Sequence, residues 1–304
     1  MLTLDYTYAQ ALDGSLNHTW TVEDCFRGRD FDFTKRFLPE RIAGVEKIAC
    51  LDADAKRQLN QIRANSYCHL FAFVEEFIIP VVLASVDRDV FGDETRLRSL
   101  VRFADEEVKH QEMMRRACSQ FEAGFGVSCG LVAGREAVAE AVLATSPLTA
   151  LLLTSMIEWF VQLHYVEHVR DAHELDPLFR DILRYHWIDE SRHAKLDTLL
   201  INEVAPQLTL ADRDHAVDEL LQLGNAVDGL LAQQVELDLV ALEAVSGRTF
   251  SEEEKTQIRH AQVRSYRWTF LVSGLQHPKF EKIIDAVTPA GRQRIAAAAE
   301  SLSA

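Results

Sequence analysis

Two glutamate–histidine pairs carry most of the chemistry that this sequence can offer. Glu107 and His110 stand in RFADEEVKHQEMMRR, and Glu190 and His193 stand in HWIDESRH. Positions three apart on a helix are neighbours on one face, so each pair can present one carboxylate and one imidazole to a single point. Such a mixed donor set suits iron or manganese better than zinc. Each pair is preceded by a glutamate in an apolar run: Glu158 in LLLTSMIEWFVQL, and Glu75 or Glu76 in FAFVEEFIIPVVL. An ionised carboxylate in such surroundings is costly unless a metal or another cation compensates it. Glu75 precedes Glu107 by 32 residues, and Glu158 precedes Glu190 by the same 32. Four carboxylates would neutralise two divalent cations and so allow a charged pair inside an apolar bundle. The alternative account of each pair is a solvated helix face, and the apolar flanks of Glu75 and Glu158 argue against it.

Several neighbours bear on this constellation. Glu75 falls inside the apolar arc of its helix and Glu76 at its edge, so periodicity and spacing favour Glu75 while leaving Glu76 open. Pro80 removes the hydrogen bond to the Glu76 carbonyl and predicts a kink there. His186 precedes Glu190 by four residues and His193 by seven, which puts all three on one stripe. It is a candidate third imidazole or a donor behind the ligands. Asp189, Asp197 and Tyr185 could orient the free ring nitrogens, and the periodicity favours Asp197. Tyr165, seven residues after Glu158, is a candidate radical site or a core tyrosine. Thr154, one turn before Glu158, is a candidate lining of an oxygen pocket. His164, Glu167 and His168 fall off the Glu158 face and are expected at the surface, and Arg264–Trp268 is expected to pack in the core or against a partner.

These residues need long helices to position them. The chain has 304 residues, with few glycines and prolines and abundant helix formers. Helical period predicts helices over about 54–86, 93–122, 135–144, 147–171, 177–203, 210–245, 251–275 and 279–301. Asp93 reads as an N-cap, Pro147 and Pro177 as first-turn residues, and 87–92 as a turn. Residues 1–40 are expected to form an irregular arm, about 54–203 the metal-binding bundle, and about 207–304 additional packing helices, all in one domain. The net charge of −15 argues against nucleic acid or an anionic membrane as partner. The longest apolar run, IIPVVLAS, is short for a bilayer span. Five cysteines without a C-x-x-C pair suggest reduced thiols and a cytoplasmic protein, and no signal peptide is legible.

Paired E-x-x-H motifs with single glutamate partners resemble the ferritin-like di-iron superfamily, which implies an all-α, ferritin-like four-helix bundle, here with additional C-terminal helices. The added histidine in H-x-x-x-E-x-x-H is similar to the di-iron N-oxygenase family typified by p-aminobenzoate N-oxygenase. That resemblance covers roughly residues 55–200. It implies a four-carboxylate, three-histidine site of Glu75 (or Glu76), Glu107, His110, Glu158, His186, Glu190 and His193. It further implies two iron ions, with manganese allowed, and O2 as co-substrate. The implied activity is oxidation of a small organic substrate, an arylamine nitrogen being the candidate. The expected partners are that small molecule and an external electron donor or reductase, with a homodimer also allowed. The C-terminal third, which matches nothing specific, is expected to shape the substrate pocket. Ferritin-like iron oxidation, a ribonucleotide reductase small-subunit-like role and a metal-free scaffold are the alternatives.

Overall fold

The computed structural model describes residues 2–86 and 92–303, and the described residues form helices and no strand. The 87–92 turn expected from the sequence lies, apart from Gly92, outside them. In chain order the helices are α1 (Tyr8–Asn17), α2 (Val22–Phe26), α3 (Glu40–Ala43), α4 (Ala53–Ala84), α5 (Glu94–Phe125), α6 (Arg135–Leu143) and α7 (Pro147–Leu163). They continue as α8 (Pro177–Val204), α9 (Leu210–Ser246), α10 (Glu252–Arg267), α11 (Ser273–Leu275), α12 (Pro278–Val287) and α13 (Gly291–Ser303).

The long helices start where side chains satisfy their free N–H groups. Asp52 accepts from Ala55 at the head of α4, Asp93 from Thr95 and Arg96 at α5, and Ser146 from Thr149 at α7. Asp176 caps α8 through Phe179. Proline occupies the first position of α7 and α8, where its missing N–H costs nothing. α4 packs along α5, and α7 along α8, giving the two hairpins of a four-helix bundle. α9 lies against α4 and α7, and α10 against α9, so the C-terminal helices close one side of the bundle. By length and composition α4 is apolar enough to cross a bilayer, its most apolar window having a mean hydropathy of 1.7. The run IIPVVLAS alone understates this helix. Here it packs on α5 and α9 and buries Asn60, Arg63 and Glu75.

Four expectations change, the first being the helix expected over 251–275, which widens at Trp268–Val272 into a π-helical turn between α10 and α11. The N-terminal arm is not irregular: α1 and α2 form, each opened by a capping box, Thr7 with Gln10 and Thr21 with Asp24. Helices of 10 and 5 residues are too short for periodicity to register, and packing on α5 and α8 holds them. α7 does not run as an α-helix to residue 171. It widens at His164–Val169 into a π-helical turn, where Arg170 donates to the carbonyl of Tyr165 five residues back. The final expected helix, 279–301, is two helices, α12 and α13. Through Pro80, α4 continues as one helix.

Candidate metal centre

The four bundle helices bring Glu75, Glu107, His110, Glu158, His186, Glu190 and His193 into the interior, each at most 2% exposed. Donor atoms of Glu75, His110, His186 and Glu190 lie within 4.8 Å of one another, and so do those of Glu107, His110, Glu190 and His193. The two quartets share His110 and Glu190, so they mark adjacent positions in one cluster. His186 Nε2 lies 2.7 Å from Glu190 Oε1 and 3.0 Å from Glu75 Oε1. His193 Nδ1 lies 3.0 Å from Glu190 Oε2 and 2.7 Å from Glu107 Oε1. His110 Nδ1 faces Glu190 Oε1 at 3.0 Å, Glu107 Oε2 at 3.5 Å and Glu75 Oε1 at 3.9 Å.

Short distances are not the same as satisfied groups. His110 Nδ1, both oxygens of Glu107, and Oε2 of Glu75 and of Glu158 are buried and make no hydrogen bond of good geometry. Buried polar atoms almost always find partners, so five converging orphans need a cause. A cation held between them supplies one, because their lone pairs already point at a common space. The residues therefore fit a pair of divalent ions.

Glu76 does not join them. Its side chain is about one-third exposed and accepts from Arg115 at 2.8 Å. Of the two candidates on α4, only Glu75 reaches the interior, because its position within the apolar arc decides which way it points.

The outer groups differ from the expectation that favoured Asp197. His110 Nε2 hydrogen-bonds to Asp189 Oδ2 at 3.1 Å, and His193 Nε2 to Glu106 Oε2 at 2.9 Å. Each imidazole is thus held by the acid that precedes the glutamate on the opposite helix. Arg192 joins the two acids, donating to Glu106 Oε1 at 3.0 Å and to Asp189. Lys109 adds an ion pair to Asp189 at 2.7 Å, and Ser15 of α1 donates to Glu106 at 2.7 Å. A Cβ at Gly14 would come within 3.1 Å of the Arg192 side chain, so glycine permits this close approach of α1. Trp20 stacks on His110, with ring centroids 6.0 Å apart, and Lys109 lies over the Trp20 ring. The signal for Glu106 is in the sequence: both motifs read acid-Glu-x-x-His, in EEVKH and DESRH.

Asp197 is fully buried, but neither of its oxygens makes a good hydrogen bond, and both nitrogens of His193 are taken by glutamates. Thr154 is a polar neighbour of Asp197 and donates its hydroxyl proton to the Leu151 carbonyl at 3.2 Å. Tyr185 accepts from Arg27 instead of touching a histidine. Tyr165 stacks on Trp187, and its charged neighbours are Arg184, Arg180, Asp181 and Arg170, none of them in the cluster. It is the core tyrosine of the two readings offered by the sequence, and it lines a small void that His186 also borders. His164 is buried, not at the surface: it meets the Tyr67 hydroxyl at 3.4 Å and the Ser273 hydroxyl at 3.1 Å.

Burial and mutual contact set the charges. Burial pushes the Glu75 carboxyl up to about 7, with His186 and His110 opposing it. Burial, reinforced by Glu190, raises Glu158 well above the carboxylate range. Burial would also raise Glu190, but His186 and His193 outweigh it and hold Glu190 well below that range. Burial alone would lower His110 and His193, but glutamates led by Glu190 raise both instead, with Asp189 adding to the effect on His110. Burial pushes Asp197 up to about 8. Without a cation, protons on carboxyls and imidazoles balance the cluster, and metal binding would displace them.

No family model matches the chain, and no curated protein matches it. Among solved structures it is similar to an R2-like ligand-binding oxidase variant with an anaerobically reconstituted Mn/Fe cofactor. That match has 16% identity and a TM-score of 0.49, and covers 88% of this chain and 93% of the other. A second variant of that oxidase, with a non-activated Mn/Mn cofactor, matches at 16% identity and a TM-score of 0.48, over 88% and 92% of the two chains. At so low an identity the roles of residues here are taken from this chain's own geometry.

Proposed function

We propose that this protein is a di-iron, O2-activating oxygenase that oxidises an organic substrate, with an amine nitrogen as the candidate position. One observation carries the reading: buried carboxylate and imidazole atoms converge on a shared space with their lone pairs unclaimed. Glu75 and His186 would hold one ion and Glu107 and His193 the other, with Glu190 shared between them, His110 giving its Nδ1 to one of the two, and Glu158 beside Glu190. Manganese in place of iron fits the same donors. When bound, the ions supply the electrons and the Lewis acidity for O2 activation. The chain's own contribution is positional. Asp189 and Glu106 fix the ring orientation of His110 and His193 and keep their other nitrogens free for metal. Arg192 bridges these two acids; burial opposes their ionisation, but His193, with Arg192 behind it, holds Glu106 down to about 2, and His110 and Lys109 hold Asp189 well below the carboxylate range. The apolar bundle excludes water from the cluster. His186 adds an imidazole to the two E-x-x-H pairs, and it is the feature that favours the N-oxygenase reading. The electron donor is a separate reductase.

The test is anaerobic loading with Fe(II), measurement of iron per chain, and exposure to O2 with candidate amines while oxidised products are followed by mass spectrometry. Two irons per chain and O2-dependent product from an amine are expected. Absence of bound metal would overturn the reading. Iron oxidation without substrate turnover would favour an iron-handling protein, and an EPR-visible tyrosyl radical would favour a reductase-subunit role.

A further inference from the structure

Beside the cluster lies a cavity of about 1210 Å³, larger than the roughly 300–1,000 Å³ typical of small-molecule pockets. It occupies the space between the bundle and the C-terminal helices. On α4 its wall is the stripe Leu70, Phe73, Val74 and Phe77; on α7 it includes Ile157 and Phe160. Val74 directly precedes Glu75, and Ile157 directly precedes Glu158. α6 covers the cavity, and α9 and α13 close it with apolar side chains.

The aromatic partition between cavity and cluster is two rings thick. Phe160 lines the cavity and meets Phe71 at 6.0 Å between ring centroids, and Phe71 meets His186 edge-on at 5.1 Å. The charge of the lining is equally informative. Among the described residues its charged members are Glu136, Asp228 and Arg267, with His69 beside them and no lysine, and both oxygens of Asp228 accept from Arg267, at 2.7 and 2.9 Å. An anionic head group therefore meets two acids and a guanidinium that is already committed to one of them. Burying an unpaired charge in such a lining is costly.

We propose that the substrate of this centre is a bulky, predominantly apolar molecule that carries no negative charge and is taken up in this cavity. This rests on the oxygenase reading above and deepens it. It also sets the chain apart from its sequence resemblance: a compact aminobenzoate-type anion would leave most of the space unfilled and its carboxylate unpaired. A hydrophobic arylamine, uncharged at neutral pH, satisfies volume, apolarity and charge together.

Gly224 on α9 offers a clean test. It lines the cavity, and a Cβ there would meet nothing within 4 Å. Gly229 on the same helix is equally open but is not part of the lining. Replacing either glycine inside a helix favours folding, so Gly224→Phe fills the cavity and Gly229→Phe is the matched control. 4-Octylaniline, dodecan-1-ol and dodecanoate, each below its micellar concentration, would be titrated calorimetrically into iron-loaded and metal-free protein. The amine and the alcohol are expected to bind about tenfold or more tighter than dodecanoate, with a negative heat-capacity change. Gly224→Phe is expected to weaken them about tenfold and Gly229→Phe by less than about twofold. In the iron-loaded protein the amine should also shift the circular dichroism bands of the metal. Dodecanoate binding as tightly as the amine would overturn the charge assignment, and unchanged binding to Gly224→Phe would overturn the location. Tight binding that leaves the metal bands unmoved would separate the cavity from the centre and overturn the substrate claim. If the protein takes up no iron, the oxygenase reading fails, and with it the claim that the ligand is a substrate. The calorimetry on metal-free protein still reports whether the cavity binds.

Discussion

Two clusters of buried charge lean on α4, and they are built on opposite plans. Around Asp238 everything closes. Its Oδ1 accepts from Ser66 at 2.8 Å and from Gln234 at 2.9 Å, and its Oδ2 accepts from Tyr266 at 2.5 Å. Arg63 lays its guanidinium over the Tyr266 ring at 3.2 Å and donates to the Ile42 carbonyl. Two of its nitrogens make no hydrogen bond, and the ring face compensates them. Around Glu107 the plan is open: both carboxylate oxygens and the facing His110 nitrogen lack hydrogen bonds, although charged groups crowd them. A closed network stabilises and orders the fold, whereas an open one is costly until something occupies it. The contrast shows that burial of charge alone does not mark a site. What marks it is the set of lone pairs left over.

The sharpest way to break this comparison is to remove one carboxylate from each cluster. Asp238→Ala strands Arg63 in the interior and should cost about 3–5 kcal/mol in urea unfolding. Glu107→Gln should leave metal-free stability within about 1 kcal/mol, because its neighbouring imidazoles can give up protons, yet reduce metal content below one ion per chain. Equal costs at the two positions would erase the distinction. Metal itself is the next lever. Fe(II) or Mn(II) at about a hundredfold over its Kd should raise stability by about 2.7 kcal/mol, read as a higher Tm in anaerobic thermal scans. The same addition to Glu107→Gln should raise it little. Glu106→Gln keeps the ligands but loosens the hold on His193, and should weaken metal binding about 10–100-fold in competition titrations with a chelator. An unchanged affinity would mean that His193 is oriented by packing on Phe103, whose ring stacks against it at 3.9 Å. The smallest effect belongs to Glu76→Gln. That residue pairs with half-exposed Arg115, so metal content should not change and stability should move by less than about 0.5 kcal/mol.

Much of the open cluster is legible in the sequence. The two E-x-x-H pairs, the equal spacing to Glu75 and Glu158, and the H-x-x-x-E-x-x-H stripe all follow from helical periodicity, which is a local property. The groups behind the ligands are less legible. Asp197 shares a helix face with His193, so periodicity favours it, but the acids that hold the two imidazoles come from the opposing helices. Cross-helix register is not written in the period of either helix. His164, expected at the surface, is instead buried at the start of a π-turn, which no composition signal announces. The closed cluster leaves no trace in local pattern, because its members lie far apart, on α4, α9 and α10.

By itself the sequence determined that the protein is helical, that two helix hairpins carry matched carboxylate–imidazole sets, and that the chain is strongly acidic. These follow from period, spacing and composition. Only the tertiary structure decided that Glu75 turns inward while Glu76 meets Arg115, and that Glu106 and Asp189 cross over to the histidines of the opposite helices. It alone decided that the C-terminal helices stand off from the bundle and leave an apolar cavity two rings away from His186. The physical reason is that helix formation is settled within a few residues of chain. The direction of a lone pair and the volume left between packed helices depend on contacts between residues far apart in sequence.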